Sequence, residues 1–158
     1  MNDLLTIILK ETYTLSQLKK RLKILEYYFQ QKFFHASQNT DLSPKDTVWF
    51  NALPKSFLDT FNKDNLSQNL NNLTNKTKVL PILVIYLAFE ADEQIIEQIG
   101  AKARSIFGPT LLLDIKYNTT LIAGCALSWK GVYKDYSLHE KIEERKLAIL
   151  QNFKKFLR

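Results

Sequence analysis

Few side chains in this sequence are of a type that does chemistry, and none is spaced to do it in concert. The histidines are His35 and His139, and the single cysteine is Cys125. His35 falls at the end of one amphipathic stretch and His139 in the first turn of another. An imidazole in either place reads as a solvated surface group rather than a metal ligand or a base. Cys125 sits in an apolar run with no general base in its context, so it reads as a buried, inert thiol. Asp114 and Asp135 are the one carboxylate pairing that would suit general acid–base work. Each falls on a strand candidate, where a carboxylate serves equally well to cap a turn. GxxxxGK[ST] and GxGxxG phosphate loops are absent, as are CxxC and HExxH. No catalytic, cofactor-binding or metal-ligating set is expected, and the chain is expected to be non-catalytic.

The composition describes what those residues sit on. The chain has 158 residues, 46% hydrophobic and 24% charged, with ten Phe and seven Tyr but only four Gly and four Pro. That is a globular composition with enough apolar volume for a real core and long regular elements. The formal charge is +6, spread over both halves. The densest basic run, Lys19, Lys20, Arg21 and Lys23, interleaves with apolar residues at helical spacing and reads as the solvated face of a helix. A nucleic-acid footprint would cluster its cations with stacking aromatics, so no nucleic-acid partner is expected. One cysteine asks for no oxidising compartment, and the start of the chain lacks the positive charge of a secretory signal. The most apolar run, Val79 to Phe89, is too short for a membrane helix of about twenty residues. The expected location is the cytoplasm.

The first half reads helical. Leu4 to Leu9 suggests a short opening helix. Thr14 and Gln17 have capping-box spacing, and Leu15, Leu18, Leu22, Leu25, Phe29 and Phe33 then share one stripe of a helix over residues 15–35. A stripe this narrow packs against one or two neighbouring helices. Ser43-Pro44 starts another helix bearing Val48, Trp49 and Leu53. Pro54 opens one with Phe57, Leu58 and Phe61. Asp64 is a candidate cap for a last one with Leu66, Leu70 and Leu73. The polar stretch Asn75 to Lys78 is taken as the boundary between a small helical bundle (1–75) and a second domain (79–158).

Beyond the boundary the period changes. Leu80–Phe89 reads as a buried strand, Asp92–Phe107 as a helix stopped by Gly108-Pro109, and Thr110–Tyr117 as a second strand. Leu121–Trp129 and Val132–Tyr136 read as a hairpin turning at Lys130-Gly131. Ser137 with Glu140 is a second capping box, opening a final helix with Leu138, Ile142, Leu147, Ile149, Leu150, Phe153 and Leu157. The predicted fold class is α+β: an N-terminal α-helical bundle followed by a β-α-β-β-β-α sandwich domain.

The segment Leu83 to Leu138 resembles the C-terminal domain of the delta subunit of F-type ATP synthases, called OSCP in mitochondria. That family has an Asp-Pro-Ser-Leu-Ile-Gly-Gly run, a strand, a Gly-containing turn, and an Asp-x-Ser start to the last helix. The corresponding residues are Asn118-Thr119-Thr120-Leu121-Ile122-Ala123-Gly124, then Lys130-Gly131, then Asp135-Tyr136-Ser137-Leu138. Leu121, Ile122, Ala123, Gly124, Gly131, Asp135 and Ser137 carry the motif, and their roles are architectural. Asn-Thr-Thr replaces Asp-Pro-Ser, Ala123 replaces the first glycine, and the first half is shorter than the family's six-helix bundle.

The resemblance implies a peripheral-stalk (stator) subunit linking the catalytic head to the stalk during proton-driven ATP synthesis. The implied partners are the alpha subunits of the head, on the bundle, and the b-type stalk subunit, on the C-terminal domain; by this analogy the bundle stripe around Leu18, Leu22 and Leu25 is either core or a partner groove. The implied location is peripheral to the inner (plasma) membrane, with membrane contact only through the complex. No cofactor is implied. The alternatives are an E-like stalk subunit of a V-type ATPase, which has a long helix before a similar domain, and a basic nucleic-acid-binding module.

Overall fold

The computed structural model describes residues 3–35 and 43–156. Helices α1 (Asp3–Leu9), α2 (Leu15–Phe34), α3 (Pro44–Asn51), α4 (Lys55–Asp59) and α5 (Leu66–Lys78) come first. Then follow β1 (Ile82–Leu87), α6 (Glu93–Phe107), β2 (Leu112–Tyr117), β3 (Cys125–Trp129), β4 (Val132–Asp135) and α7 (Leu138–Phe156). The fold is therefore α+β, helices first and then a β-α-β-β-β-α unit. The sheet order is β2-β1-β3-β4, with β1 parallel to β2 and antiparallel to β3, and β3 antiparallel to β4. Leu157 lies outside the described residues.

Local chemistry starts most of these helices. Thr14 accepts from Gln17 N–H while Gln17 returns a bond to the Thr14 N–H, and His35 closes α2 in the left-handed region at φ 53°. Ser43 caps α3 with Pro44 behind it, and Asp92 Oδ1 accepts from Ile95 N–H at 2.7 Å to open α6. The start of α5 differs from expectation, because Asp64 is not its cap. Asn62 Oδ1 accepts from Asp64 and Asn65 N–H while Asn65 Oδ1 accepts from Asn62 N–H, an asparagine clasp that sets the helix off at Leu66. The polar stretch taken as the boundary is helical. Asn75–Lys78 is the last turn of α5, where Lys76 and Lys78 suit the negative end of the helix dipole, and the break comes at 79–81.

Two cores meet across the sheet. Leu18, Leu25, Phe29, Trp49, Phe57, Phe61 and Leu73 fill the helical one, and Phe29 stacks on Phe61 with ring centres 4.5 Å apart. Leu83, Ile85, Leu87, Leu111 and Leu113 fill the other, beneath α6. Side chains alternate along a strand, so Leu112, between two residues of the second core, belongs to the first. The halves are also sewn by hydrogen bonds. Leu113 N–H donates to Tyr13 C=O at 2.8 Å, and the Arg104 guanidinium donates to the carbonyls of Leu9, Thr12 and Leu111. The Tyr13 ring lies under Arg104 and against Gly100, where a Cβ would come within 2.6 Å of it.

One part of the basic run departs from the solvated-face reading. Arg21 is buried over the Trp49 ring and donates to Glu11 C=O and Thr12 Oγ1. Burial lowers its pKa, opposed by the nearby charge of Asp46. Lys20 instead reaches out to Asp46 at 2.5 Å.

Candidate docking surface

The motif from Asn118 to Ser137 builds a rigid root for α7. Asn118 Oδ1 accepts from the N–H and the hydroxyl of Thr120, folding Thr119–Leu121 into one 3-10 turn with Leu121 buried beneath it. Ile122 follows at φ 65°, ψ −58°, and Ala123 N–H donates to Leu121 C=O at 2.7 Å. That is a γ-turn of the positive-φ kind, a strained geometry for a β-branched residue. It corrects the expectation of a strand from Leu121: the chain turns through Ile122 and the strand begins only at Cys125. Gly124 has φ 88°, and a Cβ there would stand 2.8 Å from Tyr136 C=O, so only glycine fits. Gly131, at φ 82° in open space, supplies the hairpin turn behind Lys130 at φ 49°.

The return strand locks onto this bend. Tyr136 N–H donates to Cys125 C=O at 2.9 Å, and Leu138 N–H to Ala123 C=O at 2.8 Å. Ser137 is fully buried, and its Oγ accepts from Glu140 N–H at 3.4 Å. The expected capping box is half formed, because Ser137 N–H goes to Asp135 Oδ1 at 2.7 Å rather than to Glu140. Those bonds from Ser137 hold the Asp135 pKa below its ordinary value.

What this root launches is a helix with nothing on it. Every described side chain of α7 from Leu138 to Lys155 is exposed, with Phe153 at 64% and Leu147 at 77%. Its packing is at its start, against the 3-10 turn. Ile142, Ile149, Leu150 and Phe153 fall within about a third of the circumference at 3.6 residues per turn, an apolar stripe on an otherwise charged helix. Beside it, the α6 face of the hairpin carries a second unfilled surface. Leu127, Trp129, Val132 and Tyr136, with Phe107 from α6, line an open groove of about 480 Å³ edged by Lys130 and Lys134. A third lies on the bundle, about 400 Å³ between α2 and α5, lined by Phe34 and Leu70 with Glu26 and Gln30.

Leu18 and Leu25 are buried in the helical core and Leu22 packs half-buried against it, so this stripe faces inward. Asp114 and Asp135 lie on β2 and β4 with two strands between them and two residues out of register, so at least about 14 Å apart at the spacing of a sheet, too far to share a proton. Asp114 is 3.8 Å from Lys116. Cys125 is half-buried, and burial, then the Asp135 charge, pushes its thiol pKa up, away from the reactive thiolate. His139 is exposed on the first turn of α7. Among the described residues, no group of His, Cys, Asp and Glu is placed to hold a metal, and no helix is long and apolar enough to cross a membrane.

Two features escaped the sequence reading: the γ-turn at Ile122 and the groove under Trp129. The first had a signal in the Ala123-Gly124 pair, and the second had none, since its walls come from β1, α6, β3 and β4. No protein-family model matches the chain, and no curated protein sequence is significantly similar to it.

Proposed function

We propose that the chain is a non-catalytic docking subunit, the stator component of an F-type ATP synthase that ties the catalytic head to the peripheral stalk. The observation that carries this reading is α7, an amphipathic helix of 19 residues held out from the body by a buried, glycine-bent root. A stator must resist torque, which asks for rigid attachment and extended contact rather than chemistry. A helix whose exit direction is fixed by backbone bonds provides the first, and an uncovered apolar stripe the second. The Leu121–Ser137 root is also where the resemblance to the delta family lies.

On this reading the b-type stalk subunit lies along α7 and the hairpin groove, where Trp129 and Tyr136 act as aromatic anchors. Helices of the alpha subunits sit in the α2–α5 groove at Phe34, since Leu18 and Leu25 are inside. Membrane contact comes only through the complex, and no nucleic acid takes part. Against the E-like alternative stand five separate helices before β1 where that family has one long helix.

The test is co-purification. The tagged chain, expressed in its own cells, is expected to bring down the alpha and b-type subunits, and a Leu150→Ser/Phe153→Ser variant to lose the b-type subunit while keeping its fold. Recovery of neither subunit by the unaltered chain would overturn the proposal.

A further inference from the structure

We propose that the cleft between α1 and the far end of α6 binds a small amphiphilic anion, its alkyl body against the apolar wall and its charged head on Arg104 and Lys10. The site is independent of the stator reading and uses none of the surfaces assigned to partners above.

The cleft has a volume of about 700 Å³. Ile7, Leu9 and Pro109 give it a chiefly apolar lining, and Thr110 adds a hydroxyl. A concave, mostly apolar site of that size with a few polar groups suits a small molecule. Its charged lining residues are Arg104 and Lys10, and no carboxylate among the described residues lines it.

Arg104 is half-buried, and carbonyls alone hold its guanidinium. Nε donates to Leu111 C=O at 3.0 Å, Nη1 to Leu9 C=O at 2.9 Å, and Nη2 to Thr12 C=O. Carbonyls satisfy N–H groups but bring no net charge. None of the ion pairs among the described residues includes Arg104 or Lys10. Burial lowers the Arg104 pKa, and the influence that opposes it is Tyr13 rather than a carboxylate. The buried Arg21 makes the contrast, since Asp46, Glu11 and Glu97 all lie near enough to act on it.

A guanidinium drawn out of water costs free energy unless an opposite charge meets it. Three carbonyls use three of its five N–H donors, so Nη1 and Nη2 each keep one for an anion's oxygens. Two like charges beside low-dielectric walls also focus positive potential into the cleft. The cations therefore select the sign of the ligand, and the apolar lining selects one with an alkyl body over a bare inorganic ion.

The test titrates the purified full chain with octanoate, octylammonium and inorganic phosphate, followed by amide NMR. Octanoate is expected to bind with a low-millimolar or tighter dissociation constant, with the largest shifts at residues 6–10 and 104–111. Octylammonium has the same body and the opposite charge, and phosphate has no body. Each is expected to bind at least about tenfold more weakly. Arg104 also joins the two halves of the fold, so the variant is made at the exposed Lys10. Lys10→Glu is expected to weaken octanoate by at least about fivefold with the rest of the amide spectrum unchanged. Lys55→Glu, an equal charge change on α4, is expected to leave octanoate binding as it was. No shifts at millimolar octanoate, shifts centred on α7 or Trp129, or octylammonium or phosphate binding as well as octanoate would each overturn the proposal. So would a Lys10→Glu chain that binds octanoate as the parent does, or a Lys55→Glu chain that loses it equally.

Discussion

α2 and α7 are alike in length and apolar period and opposites in the structure. One has 20 residues and the other 19, and both carry leucine, isoleucine and phenylalanine at three- and four-residue spacing among lysines and glutamates. In α2 the stripe is the centre of the helical core, with Leu25 and Phe29 fully buried. In α7 the same kind of stripe lies in the open. An amphipathic period states that a helix has a partner, and only the tertiary structure states whether that partner is in the same chain.

The largest test of the contrast is Phe29→Ala. It removes a fully buried ring stacked on Phe61 and is expected to cost about 3–5 kcal/mol in urea unfolding. A cost under 1 kcal/mol would mean that the α2 stripe is not core.

Next comes the root. Gly124→Ala adds a Cβ against Tyr136 C=O at φ 88° and is expected to cost about 2 kcal/mol or more, since neither the backbone oxygen nor the bend can give way freely. The neighbouring change runs the other way. Ile122→Gly relieves a positive-φ β-branched residue that is 56% exposed, so it is expected to be neutral or stabilising by up to about 1 kcal/mol. Chemical denaturation of the two single variants checks both signs.

Asp46 gives a pH-dependent test on the α2 side. Burial works to raise its pKa, but hydrogen bonds from Lys20 and Ser43 and the charges of Lys20 and Arg21 bring it below the ordinary value. A carboxylate with a depressed folded pKa contributes stability above its unfolded pKa of about 3.9 and loses it as pH falls through the folded value. Stability is therefore expected to drop below about pH 4, and Asp46→Asn to be weaker by about 1 kcal/mol at pH 7 with a flatter acid limb.

The smallest effect is expected on α7. Leu150→Ser/Phe153→Ser changes two exposed side chains and is expected to move folding stability by no more than about 0.5 kcal/mol while abolishing docking. A loss of several kcal/mol would place the α7 stripe in the core after all.

Much of this architecture was legible in the sequence because its punctuation is local. Thr14 with Gln17, Ser43 with Pro44, Asp92 before an apolar period, and Gly108-Pro109 each act through atoms within one helical turn. The element order and the α+β class follow from those signals and from the change of period after α5. What stayed hidden depends on distant residues. Arg21 is buried only because Trp49 and Thr12 arrive to receive it, and nothing within the basic run at 19–23 distinguishes it from Lys20. Asp64 lost the cap of α5 to two asparagines with the same local chemistry. The strand expected from Leu121 gave way to a γ-turn because Gly124 must pass close under Tyr136, a residue twelve positions on. The motif residues were identifiable as a group, but the surface they serve lies on α7 and under Trp129 rather than on themselves.

Amide hydrogen exchange on the dilute chain, alone and with the purified b-type stalk subunit, tests the central claim most directly. The account expects α2 amides to exchange near the global unfolding limit in both samples, and α7 amides beyond Glu143 to exchange fast alone and to slow by at least about tenfold when the stalk subunit is added. Protection of α7 equal to that of α2 in the dilute chain, or no change on adding the stalk subunit, would contradict it.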